Sequence, residues 1–220
     1  MLANDIETAR FNMVEQQIRP FEVIDPRVLD ILQTLPRERF VGDEYQGLAY
    51  ADVAVPIADG QQMMKPVQEA HLLQALNVQP GENVLEIGTG SGFVTACLAA
   101  LGGVVTSYET RTALSKAAAE RLRALQVENV ELVVGDGLHA SLAPDSFQVI
   151  AVTGSVPAYP AYLAELLAPG GRMFVVVGDA PAMHAMLVRR SEDGEIWKEN
   201  LFETVVPPLE NAPLPDQFIF

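Results

Sequence analysis

The rhythm of apolar positions changes along this chain, and the change divides it. From about residue 4 to 75, apolar residues recur at helical spacing. Ala9 to Ile18 and Pro26 to Leu35 carry such a stripe, and a further helix is expected from about Val67 to Asn77. Asp25-Pro26 supplies an N-cap followed by proline at the first helical position, where a missing N–H loses no hydrogen bond. Tyr50 to Gly60 is punctuated by proline and glycine and reads as loop.

From Gly81 short apolar runs alternate with helical stretches. Val84–Ile87, Val104–Tyr108, Val130–Val134, Phe147–Val152 and Met173–Val177 predict strands. Phe93 to Leu101 predicts a helix stopped by Gly102-Gly103, and Arg111 to Leu125 another. Tyr159 to Leu167 reads as a helix ended by Pro169-Gly170-Gly171. Ala185 to Arg190 and Ile196 to Val206 then read as a hairpin around Glu192-Asp193-Gly194. The expected fold is α/β: a doubly wound, mostly parallel, seven-stranded Rossmann-like sheet with a helical N-terminal extension and a C-terminal antiparallel hairpin. A single domain is expected over 1–220, with residues 1–80 as a helical cap on the substrate side and 81–220 as the ligand-binding core.

Charge and composition narrow the function. The net charge is -15, from 14 Lys+Arg against 29 Asp+Glu. That balance disfavours nucleic acid or an anionic membrane as the main partner, since both need basic surface. No apolar run reaches the roughly 18 residues that mark a membrane span. The opening Met1 to Glu7 carries acids where a signal peptide needs basic residues. A cytoplasmic protein is expected. The lone cysteine, Cys97, sits between Ala96 and Leu98 and reads as a core residue. His71, His139 and His184 are scattered, and no metal-ligand spacing appears.

The chemistry concentrates at Val84-Leu85-Glu86-Ile87-Gly88-Thr89-Gly90-Ser91-Gly92. This segment joins a buried strand to a helix. Glycine at alternate positions permits a tight turn and close approach of a ligand to the backbone. In open α/β sheets the first such turn borders the ligand crevice. Its spacing is tighter than the Gly-x-Gly-x-x-Gly of dinucleotide sites. A purely structural turn, or a divergent nucleotide site, would also produce it. Two acids sharpen the picture. Glu109 ends the second strand, where a carboxylate can accept hydrogen bonds from both ribose hydroxyls. Asp136, followed by Gly137, comes after the third strand, where a carboxylate can accept from an adenine amino group. Glu86 is expected to face a ligand amino group, directly or through water, or to orient the glycine turn.

Further blocks carry a resemblance. In order they are Met13-Val14-Glu15-Gln16-Gln17-Ile18, Asp25-Pro26-Arg27-Val28-Leu29, Pro36-Arg37-Glu38-Arg39-Phe40-Val41 and Ala49-Tyr50-Ala51-Asp52. Pro56-Ile57, Gly60-Gln61, the glycine motif, Val152-Thr153-Gly154 and Pro169-Gly170-Gly171-Arg172 follow. From about Asn12 to Leu209 the chain resembles the protein-L-isoaspartate O-methyltransferases, class I enzymes dependent on S-adenosyl-L-methionine (AdoMet). The resemblance implies methylation of the free α-carboxyl of an isoaspartyl residue, with S-adenosyl-L-homocysteine as product and a protein or peptide as partner. The methyl ester then collapses to a succinimide, which hydrolyses partly to normal aspartate. It also implies an active-site acid at Asp52.

The substrate loop departs from the family. The family pattern is Gly-Gln-Thr-Ile-Ser-x-Pro, with the serine hydroxyl beside the reacting groups. Here the loop reads Gly60-Gln61-Gln62-Met63-Met64-Lys65-Pro66. Gln62 stands at the threonine and Met64 at the serine, and a thioether donates no hydrogen bond. Lys65 is a candidate attractor of an anionic substrate. The expectation is therefore a carboxyl methyltransferase of weak or altered activity. Methylation of another peptide or a small molecule against a Met63/Met64 wall, or cofactor binding without catalysis, fits the same residues.

Overall fold

A computed structural model of the chain describes residues 3–214. Met1 and Leu2, from the acidic N-terminal stretch, lie outside them. Seven strands form the main sheet in the order β5-β4-β3-β6-β7-β8-β9. These are β3 (Asn83–Ile87), β4 (Val104–Glu109), β5 (Val130–Val134), β6 (Phe147–Val156), β7 (Leu167–Asp179), β8 (Ala182–Arg190) and β9 (Ile196–Thr204). β3 runs parallel to β4 and β6, β4 parallel to β5, and β6 parallel to β7. β8 and β9 add the antiparallel edge that the C-terminal pattern predicts.

Parallel central strands are covered on both faces, so their residues run apolar without alternation in polarity. Alternate residues nevertheless serve different cores. Val84, Val149 and Ala151 pack with the N-terminal helices, while Leu85, Ile87, Ile150 and Val152 pack with Leu138 and Leu163. On the first face lie α1 (Ala3–Asn12), α2 (Pro26–Thr34), α3 (Pro66–Leu76) and α4 (Phe93–Ala100). Asp25 caps α2 by accepting from the Arg27 N–H at 2.8 Å. Cys97, on α4, is fully buried, and burial pushes its thiol up, away from thiolate chemistry. Helix α5 (Thr112–Ala124) connects β4 to β5.

Three elements differ from the sequence pattern. The first predicted helix runs from Ala3 and widens into a π turn over Met13–Ile18, where the Arg19 N–H reaches the Val14 carbonyl. The wider turn buries Met13, Val14 and Ile18 together. A two-residue ribbon pairs β1 (Val55–Pro56), inside the stretch read as loop, with β2 (Gln62–Met63) just beyond it. The predicted helix over Tyr159 to Leu167 shrinks to α6 (Ala161–Ala164). Pro160 precedes it, and Leu167 is drawn into the sheet opposite Phe147, so Pro169-Gly170-Gly171 belongs to the start of β7 rather than to a helix end. Among the described residues no helix is long and apolar enough to cross a membrane.

Candidate active site

The carboxyl ends of β3, β4, β5 and β6 open into one cleft. Its walls are Ile87, Gly88 and Gly90 after β3, Tyr108 to Arg111 at the end of β4, Gly135 to Leu138 after β5, and Thr153-Gly154 of β6. Gln61, Gln62 and Met64 close one side, and Pro207 to Glu210 another. Ligands of open α/β sheets bind at this edge, where strand order reverses.

The glycine turn is held by its neighbours. The N–H groups of Gly88 and Thr89 donate to the Tyr108 carbonyl at 2.9 and 3.2 Å. Thr153 Oγ1 donates to the Ile87 and Gly88 carbonyls at 2.9 and 2.6 Å. Gly88 has φ +101°, and a Cβ there would sit 2.4 Å from Thr153 Oγ1, so only glycine fits.

Glu109 is buried at the end of β4. Its Oε2 accepts from the Gly90 N–H at 2.8 Å and its Oε1 from the Arg111 N–H at 3.0 Å. Each oxygen keeps a second lone pair for a ligand. Asp136 accepts from the Leu138 N–H at 2.9 Å, from His139 Nδ1 at 2.9 Å and from Asn211 Nδ2 at 3.0 Å. Partial burial raises its pKa, but those hydrogen bonds outweigh it and hold the carboxyl below its ordinary value. Among the described residues the walls carry the carboxylates of Glu109, Asp136 and Glu210 against one guanidinium, that of Arg111. Such a cleft repels phosphate and favours a ligand that bears positive charge.

A narrower recess adjoins the cleft between the loop and the turn. Met63, Met64, Glu69, Thr89, Ser91 and Val94 line it. Beneath it lies a buried ion pair. Arg37 Nε and Nη2 reach Glu69 Oε2 and Oε1 at 3.0 and 3.1 Å. The same guanidinium donates to the carbonyls of Ala49 and Met64 at 2.6 and 2.7 Å. Burial pushes the Glu69 carboxyl up, and Arg37 pulls it back.

The structure thus gathers Gln61, Gln62, Met64, Gly88, Gly90, Glu109, Asp136 and Gly137 around the cleft, with Met63, Thr89 and Ser91 in the recess. Gly60, Lys65 and Gly92 border neither lining, although Gly92 caps α4 with φ 86°. Asp52 stands apart too: it is exposed, and its Oδ1 receives the Val67 N–H at 3.4 Å, at the start of α3. Glu86 is fully buried behind the turn. Its Oε2 accepts from Thr95 Oγ1 and Ser107 Oγ, both at 2.5 Å, and its Oε1 has no partner among the described residues. Ser107 in turn meets Thr89 Oγ1 at 2.6 Å, which ties Glu86 to the turn through one hydroxyl.

Several residues of the site and its support are not legible in the sequence. Arg37, beneath the recess, stands in the Pro36–Val41 block as one of many arginines, and only its buried partner reveals its position. Tyr108 and Leu114 carried no signal beyond apolarity, and Ile57 was marked only as part of the resemblance. The segment Pro207 to Glu210 reaches the cleft only by tertiary return.

A family model matches residues 9–212, and its description is Protein-L-isoaspartate(D-aspartate) O-methyltransferase (PCMT). This chain belongs to that family. The protein-L-isoaspartate O-methyltransferase of Koribacter versatilis is 36% identical over 200 residues, covering 91% of this chain and 90% of the relative. That of Aeropyrum pernix is 37% identical over 211 residues, covering 94% and 81%. A Plasmodium falciparum structure, described as a protein-L-isoaspartate O-methyltransferase in complex with S-adenosyl-L-homocysteine, aligns with TM-score 0.77 at 20% identity. It covers 93% of this chain and 98% of its own, and establishes the common fold. Membership in the methyltransferase family and the seven-stranded sheet therefore agree with the sequence expectation.

Proposed function

We propose that this chain methylates a carboxylate on a damaged protein or peptide, of the isoaspartyl type, with AdoMet as donor and with a substrate preference altered at its loop. One observation carries the reading. A single acid-lined cleft holds the glycine turn, Glu109, Asp136 and the loop bearing Gln62 and Met64.

The donor set fits AdoMet. The paired oxygens of Glu109 suit a ribose diol, and Asp136 suits an adenine amino group. Ile87, Tyr108, Leu114 and Leu138 supply apolar wall for the base. A pyrophosphate would meet three carboxylates, whereas a sulfonium is attracted by them. AdoMet, when bound, supplies an electrophilic methyl group. The protein's own work is positioning, because a carboxylate is already a nucleophile and needs alignment and loss of water rather than a base. Gln62 offers carboxamide N–H donors to that carboxylate. Arg37 fixes the backbone of position 64 from below. Met63, Met64 and Val94 form an apolar wall in the recess, which favours an acceptor with an apolar flank and keeps another peptide or small molecule open as a second substrate class. Residues 1–80 shape the substrate side in this reading, and the site of action is the cytoplasm.

Two measurements test it. Calorimetry should detect S-adenosyl-L-homocysteine binding. A radiolabelled-methyl assay should place base-labile label slowly on an isoaspartyl peptide and none on its normal aspartyl counterpart. Absence of binding sinks the AdoMet reading. Binding without label on the isoaspartyl peptide sinks the substrate.

A further inference from the structure

Beyond β9 the chain returns to the cleft. The Ser155 N–H donates to the Pro207 carbonyl and the Leu209 N–H to the Ser155 carbonyl, each at 2.9 Å. This parallel bridge roots the segment on a serine that is almost fully buried. Leu209 then fills the space over two glycines: a Cβ would lie 2.8 Å from its Cδ2 at Gly154 and 3.2 Å at Gly88. Past this root the contacts become polar and exposed. Glu210 accepts from Thr110 Oγ1 at 2.8 Å and pairs with Arg111, immediately after Glu109. Asn211 donates to Asp136 Oδ2, the oxygen that His139 also engages.

We infer that Pro207 to Asn211 is a strap that governs exchange of the adenosyl ligand, fastened by two latches, Glu210 on Arg111 and Asn211 on Asp136. This inference rests on the reading that the cleft takes AdoMet. The latches fall beside the acid that suits the ribose and on the acid that suits the adenine. Both are exposed polar contacts, weak enough to open individually, whereas the root is held by two backbone hydrogen bonds and a packed leucine. Asp136 Oδ2 already receives two donors, from His139 and Asn211, while Oδ1 receives one, from the Leu138 N–H. An adenine amino group therefore takes Oδ1 beside the latch or displaces a donor from Oδ2, and either route brings ligand entry against the latch.

The test is a radiolabelled S-adenosyl-L-homocysteine association and chase experiment on the full chain. Asn211 has φ 60°, so Asn211→Gly deletes the amide without straining the backbone. Glu210→Gln removes the charge and keeps the shape. The double variant should accelerate both association and dissociation by about tenfold, the scale of two weak polar contacts, with Kd moving less than either rate. Asn211→Asp should accelerate exchange independently, by facing a carboxylate with a carboxylate. Unchanged rates in these variants overturn the strap while leaving the cofactor reading intact. Faster dissociation with unaltered association also overturns it, because the residues would then be simple ligand contacts. If the wild-type chain binds no S-adenosyl-L-homocysteine, the cofactor reading and the strap fall together. Thermal melts of the ligand-free variants separate any folding defect from altered exchange, and the single substitutions, both at exposed positions, carry the test by themselves.

Discussion

Methionine at position 64 changes what the loop can do to a carboxylate. Its carbonyl is gripped by Arg37, so the backbone is set while the side chain offers bulk and no donor. Changing Gln62→Thr together with Met64→Ser restores the family's hydroxyls on a backbone already held in place. We expect kcat/KM on an isoaspartyl peptide to rise by about tenfold, one aimed hydrogen bond, mostly through KM. The carboxylate loses charge as it is methylated, so the donor stabilises bound substrate as much as the transition state. A double variant that folds, binds cofactor and gains nothing would show that the pocket differs beyond this loop. Glu86 makes a second prediction at this scale. Burial pushes its carboxyl up to about 7, and Glu109 adds to the rise, against the hydroxyls of Ser107 and Thr95. In the unfolded chain it ionises near 4.5. Below that value both states are protonated and no penalty arises. Between the two values the unfolded state releases its proton first, so the fold loses stability as pH rises, with the full penalty above about 7. Glu86→Gln should therefore stabilise the chain on the order of 2–3 kcal/mol near pH 8 and hardly at all near pH 4.5. Thermal melts across that range check it, and a pH-independent difference excludes a titrating Glu86.

Elements meet at the Arg37–Glu69 pair, which joins the 3₁₀ turn Arg37–Phe40 to α3. Arg37 is fully buried and also spans to the carbonyls of Ala49 and Met64. Removing one charge leaves the other uncompensated in the interior, at about 3–5 kcal/mol. Glu69→Leu should show that loss in denaturant unfolding. Adding Arg37→Met should recover part of it, because no buried charge then remains, but not all, because two buried carbonyls lose their donor. A double variant no more stable than Glu69→Leu contradicts the charge account. The short α6 and the long β7 are decided at this scale as well. Leu167 pairs with β6 opposite Phe147 instead of extending a helix set between Pro160 and Pro169.

For the whole molecule, net charge bears on the choice of partner. A net charge of -15 and a cleft dominated by acids disfavour a phosphate backbone as ligand. Generic RNA or DNA should show no gel shift near physiological salt. A micromolar, salt-sensitive shift would contradict this and point to a nucleic-acid substrate.

Local pattern alone determined much of this protein. The alternation of runs announced the parallel sheet and its antiparallel edge, because both periodicities are properties of adjacent residues. The glycine turn, Glu109 and Asp136 were legible for the same reason: each follows its own strand within a few residues. Tertiary structure decided what depends on distant returns of the chain. It set Glu86 behind the turn, because residues of a strand alternate faces and position 86 shares its face with Val84 and looks toward Thr95 of α4. It left Asp52 at a helix start outside the cleft walls. It buried Arg37 against a glutamate 32 residues away, and it carried Asn211 back across 75 residues to Asp136. No local periodicity encodes such pairings, since their partners become neighbours only once the sheet has brought its strand ends to one edge.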